Sequence, residues 1–273
     1  MGGLCPPGHS GFGGRIGKAE QDKVFGLLQR KSAGRGRTFK VPAGMRVYAI
    51  GDIHGCLAEL ARLIETIRAD CAGHDGAVEL VFVGDFIDRG PASAGVLDYL
   101  TGGGLPGSRH HFLMGNHEEA MLEVLDGEGE SLNGWLRYGG MQTLESYGIG
   151  RAEVLKLGVD LPRRLREVVP ERHVRFLRGL EDQVRIGDYL FVHAGIRPGT
   201  PLHKQEQFDL RWIRDEFLED EETDHGVMVV HGHTIASEPE LKRNRIGIDT
   251  GCFSSGRLTA LALEGGERRF LST

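Results

Sequence analysis

Side chains able to bind metal or phosphate recur along this chain, each directly after a short apolar run. The motifs that hold them are Gly51-Asp52-Ile53-His54-Gly55, Gly84-Asp85-Phe86-Ile87-Asp88-Arg89-Gly90, Gly115-Asn116-His117-Glu118, His193-Ala194-Gly195 and His231-Gly232-His233-Thr234. One Asp-X-His pair is weak support for a metal site, but five motifs in equivalent positions are strong support. The pattern indicates metal-assisted hydrolysis of a phosphoester.

Six of these residues are candidate metal ligands: Asp52, His54, Asp85, Asn116, His193 and His233. Imidazole, carboxylate and amide ligands together suit Mn²⁺, iron or Zn²⁺, whereas an all-oxygen set would suit Mg²⁺ or Ca²⁺. The set favours two ions that share a carboxylate. Ions about 3.5–4 Å apart can hold the oxygens of a phosphoryl group and lower the pKa of a bridging water. We expect two divalent ions, Mn²⁺ first, with iron and Zn²⁺ as alternatives.

The apolar runs before the motifs predict β-strands that are buried on both faces. They are Val47–Ile50, Leu80–Val83, Phe112–Met114, Tyr189–Val192 and Val227–Val230. Ligands of open α/β sheets gather beyond the carboxyl ends of strands, and a glycine beside each ligand lets the backbone turn sharply there. We therefore expect five loops to converge on one crevice.

Helical spacing of apolar residues appears at Leu57–Ala69 and Ala92–Leu100, and again between the third and fourth motifs. The later helices are predicted at Ala120–Leu125, Leu132–Tyr147, Val154–Leu157 and Pro170–Leu180. We expect residues 119–180 to form a helical cap that shapes substrate access. Near the C-terminus, Arg245–Ile248 and Leu258–Glu264 predict two antiparallel strands joined by a turn.

Composition fits one α/β domain preceded by an extension. The chain has 273 residues, of which 40% are hydrophobic. Residues 1–40 hold ten glycines and eight lysines or arginines against Glu20 and Asp22, which predicts a flexible basic extension with a short helical turn near residues 21–30. Residues 41–273 are then the catalytic domain.

The net charge of −6 gives no electrostatic footprint for nucleic acid, although a local basic patch remains an alternative. No run approaches the roughly 18 apolar residues needed to span a bilayer, and no signal-peptide core begins the chain. We expect a soluble cytoplasmic protein.

The four cysteines form no Cys-X-X-Cys pair, so we expect neither a zinc knuckle nor a disulfide scaffold.

The first three motifs resemble the signature motifs of the calcineurin-like metallophosphoesterases, specifically the phosphoprotein phosphatase branch with bacterial and phage serine/threonine phosphatases. His193 and His233 match the two remaining histidines of that branch, so the resemblance runs from Met45 to the C-terminus. The resemblance implies an α/β sandwich of two mixed β-sheets flanked by helices. It also implies in-line attack by a metal-bridging hydroxide, with no covalent enzyme intermediate.

The same resemblance implies a role for each site residue. Asp52 and His54 would hold one ion, Asp85 would bridge, and the second ion would be held by Asn116, His193 and His233. His117 would be the general acid, oriented by Asp88. The residues implied in phosphate binding are Arg89, Asn116 and Arg214, the last through its Trp-X-Arg spacing with Trp212.

These features favour a phosphomonoesterase of the serine/threonine protein phosphatase type, acting on a phosphorylated protein or a small phosphoester. The alternative on the same core is a dinucleoside polyphosphate hydrolase or a phosphodiesterase. Symmetrical dinucleoside tetraphosphate hydrolases typically lack an acid at the position of Asp88 and have aspartate at that of Glu118, which favours the phosphatase. A noncatalytic phosphate-binding scaffold is a third alternative, although it predicts loss of the acid or of a ligand.

Each site residue also has a structural alternative. Asp52 could cap the following helix, Asn116 could be a turn residue, and Asp88 could pair with Arg89 at the surface. Arg214 could pair with a neighbouring acid. Arg211 is a weaker candidate for phosphate binding. His110 and His111 precede the predicted strand and are expected to face solvent, whereas Trp135 and Tyr138 are expected to pack. His231 is expected to be structural or to support the site from outside, and His203 and His225 lie in loops with no assigned role.

Overall fold

The computed structural model describes residues 37–127 and 129–273. Residues 38–273 form one compact unit. The predicted flexible extension lies outside the described residues apart from its last four positions, as does the predicted helical turn near residues 21–30.

The described chain contains ten β-strands. They are β1 Met45–Ile50, β2 Ala77–Phe82, β3 Arg109–Phe112, β4 Gln183–Ile186, β5 Tyr189–Val192, β6 Met228–His231, β7 Glu240–Leu241, β8 Arg245–Gly247, β9 Thr259–Glu264 and β10 Glu267–Ser272. One sheet has the order β10-β9-β1-β2-β3 and the other β4-β5-β6-β8-β7. Each sheet combines parallel and antiparallel pairs, so the expected pair of mixed sheets is confirmed.

Helices occupy most of the sequence between the strands. The α-helices are α1 Leu57–Asp70, α2 Ser93–Thr101, α3 Asn116–Asp126, α4 Gly129–Trp135, α5 Met141–Ser146, α6 Arg151–Leu157, α7 Leu161–Val168, α8 Glu171–Arg178, α9 Gln207–Trp212, α10 Asp215–Leu218 and α11 Cys252–Ser255. A π-helical turn at Leu136–Gly140 joins α4 to α5, and short 3₁₀ turns lie at Gly158–Asp160 and Leu202–Lys204. Among the described residues, no helix is both long and apolar enough to cross a membrane.

Both faces of each sheet are covered, which explains why the strands read as continuous apolar runs. In β1, Val47 and Ala49 pack into the core between the two sheets, whereas Tyr48 and Ile50 pack into the core under α1 to α8. In β5, Phe191 faces the central core and Leu190 faces the core under α9 and α10. The site-bearing loops therefore leave strands that are fixed by packing on both sides.

The five strands predicted before the motifs are present: Tyr189–Val192 has the predicted bounds, and the ends of the other four differ by up to three residues. The prediction that Arg245–Ile248 and Leu258–Glu264 form an antiparallel pair is wrong. β8 pairs parallel with β6 in one sheet, while β9 pairs antiparallel with β1 in the other. Sequence proximity suggested a hairpin, but the connecting residues cross from one sheet to the other along the edge where the motif loops meet.

His110 and His111 lie within β3, and both are partly buried. His111 Nδ1 lies 2.9 Å from a carboxylate oxygen of Glu181. The expectation that these histidines precede the strand and face solvent is therefore wrong. Strands β4, β7 and β10 were not predicted, because they are short or carry charged residues on an exposed face.

Candidate active site

The six predicted metal ligands are brought together at one edge of the sandwich. Each has no more than 8% of its surface exposed: Asp52, His54, Asp85, Asn116, His193 and His233. They follow β1, β2, β3, β5 and β6, so these candidate ligands lie beyond the carboxyl ends of strands, where ligands of α/β sheets gather. Three of them adopt a left-handed backbone, with φ of 45° at His54, 51° at Asp85 and 63° at His233. Such strain at non-glycine residues is typical of positions that the surrounding structure fixes for function.

Asp85 lies at the centre of the cluster, and its two carboxylate oxygens face opposite groups. Oδ2 is 3.4 Å from His54 Nε2, and Oδ1 is 3.4 Å from His193 Nε2. Burial alone would raise the pKa of Asp85, but His193, His117 and His54 lower it well below its ordinary value. The residue is therefore an ionised carboxylate placed between two sets of ligands.

The second set is tightly grouped around Asn116. Its Oδ1 is 3.1 Å from His193 Nε2 and 3.0 Å from His233 Nδ1, and the two imidazole nitrogens are 3.2 Å apart. Asn116 begins α3 with its amide side chain inside the site, so it is not merely a turn residue.

Backbone carbonyls orient the imidazoles. His54 Nδ1 donates to the carbonyl of Ile87 at 2.8 Å, and His193 Nδ1 donates to the carbonyl of Val83 at 2.8 Å. Because a carbonyl can only accept, each Nε2 is left as the lone-pair nitrogen that faces the cluster. This arrangement is the usual support for a metal-binding histidine.

Unpartnered atoms show that the cluster fits divalent ions. Asp52 Oδ1 and His54 Nε2 are buried without a hydrogen-bond partner, a state that costs free energy unless something binds there. Burial lowers the pKa of His54 to about 3 and that of His233 to about 2. Both imidazoles are therefore neutral, which is the form that coordinates a metal.

A further carboxylate, Asp249, lies at this site and was not predicted. It is buried; Oδ1 accepts from the amide of Gly251 at 2.8 Å, and Oδ2 has no partner. Burial and then Asp249 and Asp85 raise the pKa of Asp52 well above its ordinary value. Several buried carboxylates this close together repel one another unless a cation binds between them. The sequence pattern could have identified this residue, because Asp249 directly follows the predicted strand Arg245–Ile248 as the other candidate ligands follow theirs.

His117 and Asp88 form a buried pair beside the metal ligands. His117 Nδ1 donates to Asp88 Oδ2 at 2.7 Å. Asp88 also accepts from Trp135 Nε1 at 2.9 Å and from Thr143 Oγ1 at 2.6 Å. Burial would lower the pKa of His117, but Asp85 and Asp88 raise it overall. The alternative that Asp88 pairs with Arg89 at the surface is wrong, because Asp88 has no exposed surface.

Arg89 approaches His117 from the solvent side. Its Nη2 is 3.0 Å from His117 Nε2, and its guanidinium carbon lies 5.0 Å from the ring centre of Phe253. A guanidinium can donate to Nε2 only when that nitrogen carries no proton, so this contact belongs to the neutral form of His117. Arg89 is thus placed to hold a phosphate oxygen close to His117 Nε2.

Arg214 is exposed at the rim, where its Nη1 is 3.5 Å from Thr234 Oγ1. Within the described part of the chain it forms no ion pair with Asp215 or Glu216. Burial, and to a smaller extent the charge of Arg214, lowers the pKa of His193.

Arg211, in contrast to Arg214, pairs with Asp182 and Glu119 and is mostly buried, which indicates a structural role.

Glu118 holds the loop that carries Asp85. One carboxylate oxygen accepts from the amides of Phe86 and Ile87, and the other from those of Asp85 and Gly115, at 2.8–3.2 Å. Four backbone donors on one buried carboxylate fix the positive-φ turn.

Three other candidates lie outside the ligand cluster. His231 Nδ1 is 3.0 Å from the Gly232 carbonyl and its ring packs on Phe217, as expected for a structural residue. Trp135 is a buried packing residue that also binds Asp88, whereas Tyr138 is 62% exposed.

Comparisons with known proteins agree with this geometry. A family model described as calcineurin-like phosphoesterase matches residues 45–252. The asymmetrical bis(5'-nucleosyl)-tetraphosphatase PrpE of Bacillus subtilis (strain 168) is 29% identical over 77% of this chain and 87% of its own length. The symmetrical bis(5'-nucleosyl)-tetraphosphatase of Methylobacillus flagellatus is 28% identical over 81% of this chain and 93% of its own. The structure of a cold-active protein-tyrosine phosphatase from Shewanella sp. aligns with a TM-score of 0.55 and 19% identity, over 85% of this chain and 83% of its own, which reflects the shared fold.

Proposed function

This chain belongs to the calcineurin-like phosphoesterase family, and on that premise we propose that it hydrolyses dinucleoside polyphosphates at a dinuclear metal centre. The names of the relatives support this substrate class, since both are bis(5'-nucleosyl)-tetraphosphatases aligned over more than three quarters of this chain. The earlier preference for a protein phosphatase rested on motif residues, whereas these alignments extend across most of the catalytic domain.

The observation that carries the chemistry is the position of Asp85 between two groups of imidazoles. In this proposal Asp52, His54 and Asp85 hold one ion, and Asp85 also contributes to the second. The remaining ligands of the second ion are Asn116, His193 and His233. Two ions bound there would polarise the phosphate oxygens and lower the pKa of a water molecule. We propose Mn²⁺ as the ion, because the ligands mix imidazole with oxygen.

The other residues act on the substrate directly. In this proposal Arg89, Arg214 and Asn116 bind the non-bridging phosphate oxygens. Oriented donors of this kind stabilise the charge that accumulates on phosphoryl oxygens in the transition state. His117, once protonated on Nε2, gives that proton to the leaving oxygen, while Asp88 accepts from Nδ1 and favours the charged ring.

The His117–Asp88 pair favours a second candidate, a phosphomonoesterase of the serine/threonine phosphatase type. A serine alkoxide is a poor leaving group and needs a proton, whereas a departing nucleotide phosphate needs one far less. The buried 2.7 Å contact between the two residues is well suited to such an acid.

The test is the ratio of kcat/KM values with Mn²⁺ on diadenosine tetraphosphate, bis-nitrophenyl phosphate, nitrophenyl phosphate and a phosphoserine peptide. We expect diadenosine tetraphosphate to have the highest value. A higher value on the phosphoserine peptide would replace the proposal with the phosphatase candidate, and a higher value on bis-nitrophenyl phosphate would indicate a phosphodiesterase.

A further inference from the structure

A cleft opens beside the proposed metal centre, between the start of α1 and the segment that crosses from β8 to β9. Its volume is about 540 Å³, within the range of about 300–1,000 Å³ that is typical of small-molecule sites. Glycine, alanine, leucine, proline and phenylalanine provide most of its walls, and the remaining lining residues are Cys56, Cys252 and Glu59, whose ligand atoms lie within 4.8 Å of one another. None of the residues assigned to metal or proton chemistry lines it.

The cleft is continuous with the site. Gly55, in one wall, directly follows the metal ligand His54, and Pro91 follows the turn that holds Arg89. Phe253 connects the two regions: its ring centre lies 5.4 Å from that of His54 and 5.0 Å from the Arg89 guanidinium carbon. A phosphate chain held by Arg89 would thus leave the metal centre beside this ring.

Phe253 has features of a stacking platform. Phe253 is 37% exposed at the rim of a deeply buried cluster. The segment that crosses between the sheets positions the ring there, outside the hydrophobic core. A base can stack on an exposed aromatic ring, and Phe253 lines the cleft while the Arg89 guanidinium lies over its ring.

We infer that the cleft binds one nucleoside of a dinucleoside polyphosphate, with the base stacked on Phe253 and the sugar or base edge near Glu59. This inference rests on the proposed function and adds to it the position of the nucleoside. The apolar walls exclude water around the base, and the carboxylate can accept hydrogen bonds from ribose hydroxyls or an amino group. A substrate without a base gains nothing from the cleft.

Inhibition measurements test this directly, with hydrolysis of nitrophenyl phosphate as the reporter. ATP and inorganic tripolyphosphate carry comparable phosphate chains, so their difference isolates the nucleoside. In the unaltered protein we expect ATP to inhibit roughly tenfold more strongly, and Phe253→Ala to remove that advantage while Phe253→Tyr keeps it.

A second variant excludes an indirect effect of Phe253 on Arg89. Ala58 lies in the cleft wall on the exposed side of α1, so Ala58→Trp should fill the cleft and weaken ATP inhibition without changing inhibition by tripolyphosphate. Equal inhibition by ATP and tripolyphosphate in the unaltered protein would overturn the inference, as would an ATP advantage that survives both Phe253→Ala and Ala58→Trp. Failure to cleave diadenosine tetraphosphate with the ATP advantage intact would instead reject the proposed function alone.

Discussion

Asp85 shows how much of this site depends on one residue. Its carboxylate faces His54 with one oxygen and His193 with the other, and its amide is fixed by Glu118. The left-handed φ of 51° aims the side chain across the strand ends instead of along them. Its ionised state and central position make it the only shared ligand in the proposed arrangement.

His117→Asn should separate leaving-group chemistry from metal binding. Asparagine cannot supply the proton, so turnover of a phosphoserine peptide should fall by about 10²-fold or more, as is typical when a general acid is removed. Nitrophenyl phosphate, with a good leaving group, should lose far less, and bound metal should be unchanged. Steady-state kinetics on both substrates give the comparison. Equal losses would remove His117 from the acid role.

Residue types alone predicted six candidate ligands that the fold brings together, because each motif follows an apolar run at the end of a strand. Asp249 was not predicted, because the glycine-containing sequence Asp249–Gly256 is typical of a turn between strands. Phe253 could not be predicted at all: its position near Arg89 depends on a segment crossing between sheets. Short-range patterns identify ligands, whereas neighbours distant in sequence require the topology.

The helices after β3 support the site as well as covering a sheet. Trp135 and Thr143 donate to Asp88 from α4 and α5, so this helical region holds the acid pair in place. That support was not expected from the sequence, where the region was predicted only as a cap controlling access. The access role stays a prediction.

Thr143→Val should weaken the acid pair with little change in volume. The variant loses the hydroxyl that donates to Asp88 Oδ1, while the Asp88 amide keeps its other acceptor, Ser93 Oγ at 3.0 Å. We expect kcat on a phosphoserine peptide to fall roughly tenfold, which corresponds to about 1.4 kcal/mol for one lost charged hydrogen bond. Thr143→Ser keeps the hydroxyl and is the matched control. Equal kcat values for the valine and serine variants would show that the hydroxyl is not needed.

Glu118→Gln tests the loop that positions Asp85. The amide group that replaces one carboxylate oxygen would point donors at backbone donors. We expect the free energy of unfolding to fall by about 2–3 kcal/mol in urea denaturation. Glu65→Gln, on the exposed face of α1, is the control and should change it by less than about 0.5 kcal/mol. An unchanged midpoint for Glu118→Gln would mean that the turn is stable without the carboxylate.

Across the whole molecule, buried neutral histidines link stability to pH. Burial lowers the pKa of His231 to about 4, below its value in the unfolded chain. A histidine with a lowered folded pKa favours folding above the unfolded pKa of about 6.5, and that contribution is lost as pH falls towards the folded value. His231 is not a proposed ligand, so its effect can be measured in chelator-treated protein.

His231→Gln should therefore reduce the pH dependence of stability. Between pH 7.5 and 5.5 the variant should lose about 1 kcal/mol less unfolding free energy than the unaltered protein, as judged by urea denaturation at each pH. His203→Gln, at an exposed position, should leave the dependence unchanged. Identical pH dependence in all three proteins would show that His231 titrates normally in the fold.

The two sheets meet in one central core, and five loops leave that core at the same edge. Because the strands are fixed by packing on both faces, the ligands are held together before any ion binds. The proposed mechanism therefore requires two ions that share Asp85.

Metal content per chain tests this claim most directly. After reconstitution with Mn²⁺ and removal of free ion, elemental analysis should give two ions per chain for the unaltered protein. For Asp85→Asn it should give one or none, together with loss of hydrolysis. A single ion in the unaltered protein, or two ions with full activity in Asp85→Asn, would contradict the account.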